Sequence, residues 1–214
     1  MARIHVFGVV GLVVAAAVSA GCSGATSGSG SGSHSGAAST AASAGGTGGS
    51  PAPTESNPPG DIPDNQAFVA YRPTGGAFTG FTVKVPEGWA RTSQGGTTVF
   101  TDKLNRVQIS AAATSTAPTT ASVTTRVVPQ LRGQVPKFAS PKVSSVTRKA
   151  GPVVLLTYQG DSGANPVTGK VVRDAFERYA FHRQGHEVDL TLSGPVKADN
   201  VDPWRIVSDS FTWK

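Results

Sequence analysis

The sequence predicts an α+β domain, an antiparallel β-sheet with flanking helices, and three observations carry that expectation. Runs such as Phe81-Thr-Val-Lys-Val-Pro86 and Val188 to Leu192 alternate apolar and polar residues with period two, as strands with one buried face do. Apolar residues at Val123, Val127, Val128, Leu131 and Val135, and later at Val201, Trp204, Val207 and Phe211, fall at helical spacing instead. Finally, residues 61–214 have the size of one domain, whereas residues 23–60 contain no apolar side chain larger than Ala or Pro.

From the N terminus, Arg3 and the apolar run Phe7 to Val18 have the charge and length of a signal-peptide core. The run is too short to cross a ~30 Å hydrocarbon layer as a stable helix. It leads through Ser19-Ala20-Gly21 into Cys22, the single cysteine of the chain. This arrangement resembles the bacterial lipobox, in which a small residue precedes a cysteine that is acylated on sulfur before the leader is removed; Ser19 stands where Leu is usual. The resemblance implies a leader over 1–21 and lipidation at Cys22. Two or three acyl chains at ~0.8 kcal/mol per buried methylene would anchor the protein on the extracytoplasmic face of the cell membrane. With Cys22 consumed, the domain has no disulfide and must be held by its core. Residues 22–60 then form a tether. Of residues 23–60, 31 are Gly, Ser, Ala or Thr, and such a segment cannot offset its ordering entropy. A flexible chain of that length spans roughly 30 to 37 Å root-mean-square.

Within the domain, Phe81 to Pro86 is a strand turned by Glu87-Gly88, with Trp89 folding back over its end. Thr97 to Thr101 and Arg106 to Ala112 are strands either side of the Asp102-to-Asn105 turn. The helix of Val123 to Val135 should kink at Pro129, which removes a donor and crowds the preceding turn. Val143 to Arg148 and Val153 to Tyr158 pair around Ala150-Gly151-Pro152. Val171 to His182 fits either a helix or a strand; the loop Arg183-Gln184-Gly185 and the alternation at Val188, Leu190 and Leu192 decide for a long β-hairpin. Asp199 caps a closing helix whose Pro203 sits harmlessly in the first turn.

The strand and turn Phe81-Thr-Val-Lys-Val-Pro86-Glu-Gly-Trp89, the hairpin ending in Leu190-Thr-Leu-Ser193 and the closing helix with Ser210-Phe211 resemble the Mog1/PsbP-like fold over most of residues 65–213. With a lipidated N terminus, the chain is similar to the LpqN/LpqT type of mycobacterial and actinobacterial lipoproteins. The resemblance implies an α/β/α sandwich and an envelope protein without enzymatic activity, and it carries no catalytic residue to any position here. Proteins of this fold generally bind other proteins, and some envelope members are linked to lipid or glycolipid handling.

Motifs that suggest chemistry lack their partners. Gly160-Asp161-Ser162-Gly163 copies the core of a serine-nucleophile motif, yet residues 61–160 contain no histidine, and His186 has Arg183 where an esterase would have Asp. Ser162 is therefore expected in a polar turn. His182 and His186 could face each other across the hairpin loop, but with Glu187 on the opposite face a third metal ligand is missing. Asp174 and Glu177 read as cross-strand partners of Arg173 and Arg178, and Trp89, Trp204 and Trp213 as core or core-edge residues. No catalytic residue, metal or cofactor is expected.

Charge is more informative. From Lys103 to Gly160 there are eight basic residues and no acidic one, while the rest of the domain is slightly acidic. Arg126, Arg132, Lys137, Lys142, Arg148 and Lys149 are the candidate surface for an anionic partner: an envelope protein, anionic lipid or wall polymer. The compartment disfavours nucleic acid. The expected function is that of a membrane-anchored binding or accessory module. The alternative is a carrier holding a lipid or glycolipid in an apolar cavity between sheet and helix, which a filled core would disfavour.

Overall fold

A computed structural model describes residues 59–164 and 169–214. The expected leader, Cys22 and nearly all of the expected tether lie outside the described residues.

The described residues form ten strands and two helices. Strands β1 (Phe68–Tyr71), β2 (Phe81–Pro86) and β10 (Thr212–Trp213) make a small antiparallel sheet in the order β1-β2-β10. The remaining strands are β3 (Ala90–Gln94), β4 (Thr97–Asp102), β5 (Asn105–Ala113), β6 (Ala139–Arg148), β7 (Gly151–Asp161), β8 (Arg173–Arg183) and β9 (His186–Pro195). They form one antiparallel sheet in the order β3-β4-β5-β9-β8-β7-β6. Helix α1 is continuous but not uniform, with an α-turn at Thr120–Ser122, a π-helical segment Val123–Val127 and an α-segment Val128–Gln134. Helix α2 is Val201–Asp209.

The large sheet is the middle layer. One face, here the inner face, packs Val107, Ile109, Leu190, Leu192, Tyr179 and Phe181 against Phe81, Val83 and Val85 of β2 and Trp204 and Val207 of α2. Phe211, wholly buried, joins the layers: its ring stacks on Phe181 at 4.0 Å and Phe81 at 5.4 Å and meets Trp213 edge-on at 4.9 Å. On the outer face, Val123 and Val128 of α1 pack on Val154, Leu156, Tyr158 and Ala180. The result is the expected antiparallel sheet flanked by helices.

Several details differ from the expectation for identifiable reasons. Pro129 does not kink α1 on its own. The π-helical turn immediately before it places the Val128 N–H on the Val123 carbonyl, so the helix is already widened where the proline's missing donor would have bonded. The β6–β7 turn lies at Lys149-Ala150, with Gly151 and Pro152 already paired to Arg148 and Thr147. The β8–β9 loop is two residues long: Gln184 (φ 50°) and Gly185 (φ 78°) form the left-handed turn that matches strand twist. Asn200, not Asp199, stands at the start of α2, and its side chain is used elsewhere. It accepts from the Ile62 N–H at 2.8 Å and donates to Asn105 Oδ1 at 2.9 Å and to the Gly60 carbonyl, pinning the start of the domain to the β4–β5 turn. Val201 is 70% exposed and is not on the packed face of α2.

Candidate functional site

Alternation along each strand sets what the outer face offers, and α1 sets how much of it remains open. The helix covers β6, β7 and β8 through Val143, Leu156, Tyr158 and Phe176. A single row across the sheet passes from open to covered as Thr92, Val99, Gln108, Thr191, Arg178 and Leu156. The strands beyond Arg178 present mainly polar and charged side chains on this face, Glu187, Asp189 and Thr191 of β9, Arg106 and Gln108 of β5 and Thr97 and Thr101 of β4 among them, and most of these stay partly exposed.

At its far end this face forms a groove of 530 Å³ lined by Thr92, Ser93, Gln94, Thr97, Val99 and Arg106. Arg106 stands between Thr101 of β4 and Ser193 of β9 and donates from Nη2 to Gln108 Oε1 at 2.7 Å. Partial burial lowers its guanidinium from the usual arginine value. The sequence pattern that locates it is Arg106-Val-Gln-Ile-Ser110, in which Val107 and Ile109 face the core and Arg106, Gln108 and Ser110 the outer side of the sheet. Arg106 lies within the basic stretch but outside the six candidate residues Arg126, Arg132, Lys137, Lys142, Arg148 and Lys149.

At the edge of the covered region lies a compact ionic cluster. Arg178 reaches Asp189 at 2.5 Å and Glu187 at 3.7 Å. Burial drives the Asp189 carboxyl upward, the Arg178 charge opposes this, and Glu187 adds to it. Asp189 Oδ1 is buried without a hydrogen-bond partner among the described residues. The expected pairing of Glu177 with Arg178 does not occur, because adjacent residues of one strand point to opposite faces. Glu177 lies on the inner face and accepts from the Tyr179 hydroxyl at 2.5 Å. Asp174 likewise lies opposite Gly160 and Pro195, while Arg173 pairs with Asp161.

The two histidines are separated. The two-residue turn pairs His182 with Glu187 and His186 with Arg183, which puts the rings on opposite faces. His182 Nε2 lies 3.1 Å from the Thr114 carbonyl, and His186 stacks on Phe78 at 4.0 Å. Ser162 is committed to a turn: its hydroxyl donates to the Gly163 carbonyl and accepts from the Val172 N–H at 3.0 Å. Trp204 is in the core, and Trp89 and Trp213 are half-buried against it.

Of the six basic residues, Lys137 and Arg148 are engaged by other side chains of the domain. Arg126 and Arg132 are exposed on α1. Lys137, beyond its end, pairs with Asp161 at 2.9 Å and holds that carboxyl below the usual range. Lys142 lies on the edge strand β6, and Lys149 in the β6–β7 turn. Arg148 is a structural residue rather than a surface one. It donates to the Tyr179 hydroxyl at 2.9 Å and to Ser208 Oγ at 3.0 Å and pairs with Asp209, tying α2 to the inner face. Burial, aided by Glu177, pushes the Tyr179 phenol up to about 12.

Comparison with known proteins by sequence finds no matching family and no matching curated protein. Comparison of structures finds cyanobacterial PsbP (CyanoP) from Synechocystis sp. PCC 6803, with a TM-score of 0.51 and 15% identity over 70% of this chain and 94% of that one. LpqN, described as involved in cell envelope biogenesis of Mycobacterium tuberculosis, matches with a TM-score of 0.36 and 16% identity over 70% of this chain and 85% of that one. The Ran-binding protein Mog1p of Saccharomyces cerevisiae matches with a TM-score of 0.41 and 10% identity over 62% and 79%. At these identities the likeness is one of fold, carried by CyanoP: the domain has the Mog1/PsbP-like fold.

Proposed function

We propose that the chain is a non-catalytic accessory module of the cell envelope, lipid-anchored through Cys22, that engages a partner through the surface of its folded domain. The carrying observation is the contrast between a filled core and an open polar sheet face. A cavity between the small sheet and the large one, beside Tyr71, Phe78 and Phe81, has a volume of 30 Å³. That is about the share of one water in the liquid, far below the ~300 Å³ at which small-molecule pockets begin. A carrier would need an acyl chain to displace packed side chains, so surface engagement is the better-supported reading. The apolar leader, Cys22 and the Gly/Ser/Ala/Thr-rich residues 23–60 support an anchored module on the extracytoplasmic face. The partner is an envelope protein, anionic lipid or wall polymer.

Three measurements test this. Cys22→Ala should release the chain from the membrane or block its maturation; a variant that partitions into detergent like the parent and shows the same intact mass shift would end the lipoprotein reading. Crosslinking the chain in its native membrane should recover a partner whose capture depends on the folded domain. Stoichiometric lipid extracted from the purified chain would overturn the surface reading in favour of the carrier.

A further inference from the structure

We infer that the groove beside Arg106 binds a hydroxyl-bearing organic anion, a phosphate or carboxylate carried on a glycerol or sugar unit. This rests on the reading of the chain as a surface-binding module and names the chemistry its ligand would have. Two guanidinium groups stand on the outer face of the sheet, and they are used differently. That of Arg178 is compensated, because Asp189 and Glu187 both lie within ion-pair distance. That of Arg106 is not: among the described residues its recorded partner is the neutral Gln108 Oε1, and no carboxylate reaches it. A guanidinium presents five N–H donors in a planar fork, so most of this fork is left to the groove.

The groove around it carries no negative charge to oppose an anion. The hydroxyls of Thr92 and Thr97 and the amide of Gln94 line it, none with a side-chain hydrogen bond among the described residues, and Val99 supplies an apolar floor. Its 530 Å³ falls within the range of small-ligand sites. A planar fork flanked by hydroxyls and an amide complements an oxyanion bound in bidentate fashion, with neighbouring ligand hydroxyls held by the threonines. The absence of any aromatic lining residue disfavours a stacked base, and the polar lining disfavours a hydrocarbon. The groove also stays accessible, since β3 is an edge strand exposed at all five positions and α1 ends its coverage at β8.

The test is calorimetric titration of the full chain with glycerol 1-phosphate, glucuronate, inorganic phosphate and neutral glucose. The parent is compared with Arg106→Gln, Arg106→Lys and Arg126→Gln, each checked for fold by circular dichroism. The expected result is saturable binding of an organic anion, none of glucose, and at least tenfold weaker binding in Arg106→Gln. Arg106→Lys should be intermediate, keeping charge without the fork, and Arg126→Gln should match the parent. Competition by phosphatidylglycerol vesicles would make a lipid headgroup the source, and its absence a soluble polymer; either agrees with the site. Unchanged binding in Arg106→Gln, equal loss in Arg126→Gln, inorganic phosphate bound as tightly as the organic anions, or no anion binding at all would overturn it. If titration fails while partner capture persists, the accessory-module reading survives without this site; if capture fails while titration succeeds, the reverse holds.

Discussion

Two adjacent rows cross the same strands and face opposite ways. The inner row runs Ser93, Thr98, Ile109, Leu190, Tyr179, Leu155; the outer row runs Thr92, Val99, Gln108, Thr191, Arg178, Leu156. Both become apolar at β7, where helices or strands pack on both faces. They diverge at β5 and β9, where Ile109 and Leu190 are buried by the small sheet while Gln108 and Thr191 stay partly exposed. Even the polar members of the inner row are paired, as in the 3.1 Å contact of Ser93 and Thr98 and the 3.0 Å contact of Thr98 with Tyr71. The lesson is that stability and availability are divided by face: one row is used up by folding, and the other retains donors that folding does not require.

The largest expected effect breaks that comparison directly. Leu190→Ala, at a wholly buried position, should cost ~2 to 5 kcal/mol, whereas Gln108→Ala in the outer row should stay within ~0.5 kcal/mol. Chemical denaturation of both variants measures the difference, and similar losses would mean that the outer face is also built for stability.

Gly160→Ala sharpens the boundary between covered and open. A Cβ there would lie 2.1 Å from Val135 Cγ1, just past the end of α1, where the Asp161 N–H donates to the Pro136 carbonyl. A methyl group should cost ~1 to 3 kcal/mol through overpacking and loosen the end of α1. Faster amide exchange at residues 131–135, with β3 to β5 unchanged, would show that the helix can lift without disturbing the groove.

A smaller effect concerns a buried carboxyl near the start of β8. Burial, with Asp161 adding repulsion, raises Asp174 to about 6, and its Oδ1 has no hydrogen-bond partner among the described residues. The native state therefore keeps a proton that the unfolded chain loses near pH 4, so this group's contribution to stability falls as pH rises from about 4 to about 6. Asp174→Asn should raise the melting temperature at pH 8 by an amount that vanishes near pH 4. A variant less stable than the parent at pH 8 would show that the carboxylate has a partner worth more than its burial. Smallest of all, Arg106→Gln should leave the melting temperature nearly unchanged; a marked loss would make Arg106 structural, like Arg148.

Much of this was legible in the sequence because it depends on local periodicity. Period-two alternation located β2, β4, β5 and the long hairpin, and helical spacing located both helices. Strands β1, β3 and β10 were not legible: Ala90-Arg-Thr-Ser-Gln94 is exposed at every position and so carries no hydrophobic alternation, and Thr212-Trp213 is too short for any. The histidine geometry turned on one residue of hairpin length, since a slip of one reverses every side chain's face. The basic stretch shows the limit most clearly. Eight like charges in sequence are a fact of composition, but Arg148 is drawn under α2 by Tyr179, Ser208 and Asp209, and Lys137 is paired by Asp161. What the sequence alone determined were the strand faces, because those depend on the order of neighbours along the chain. Only the tertiary structure decided that Arg178 is compensated and Arg106 is not, because a charge's partners come from strands distant in sequence and its exposure depends on where a helix stops.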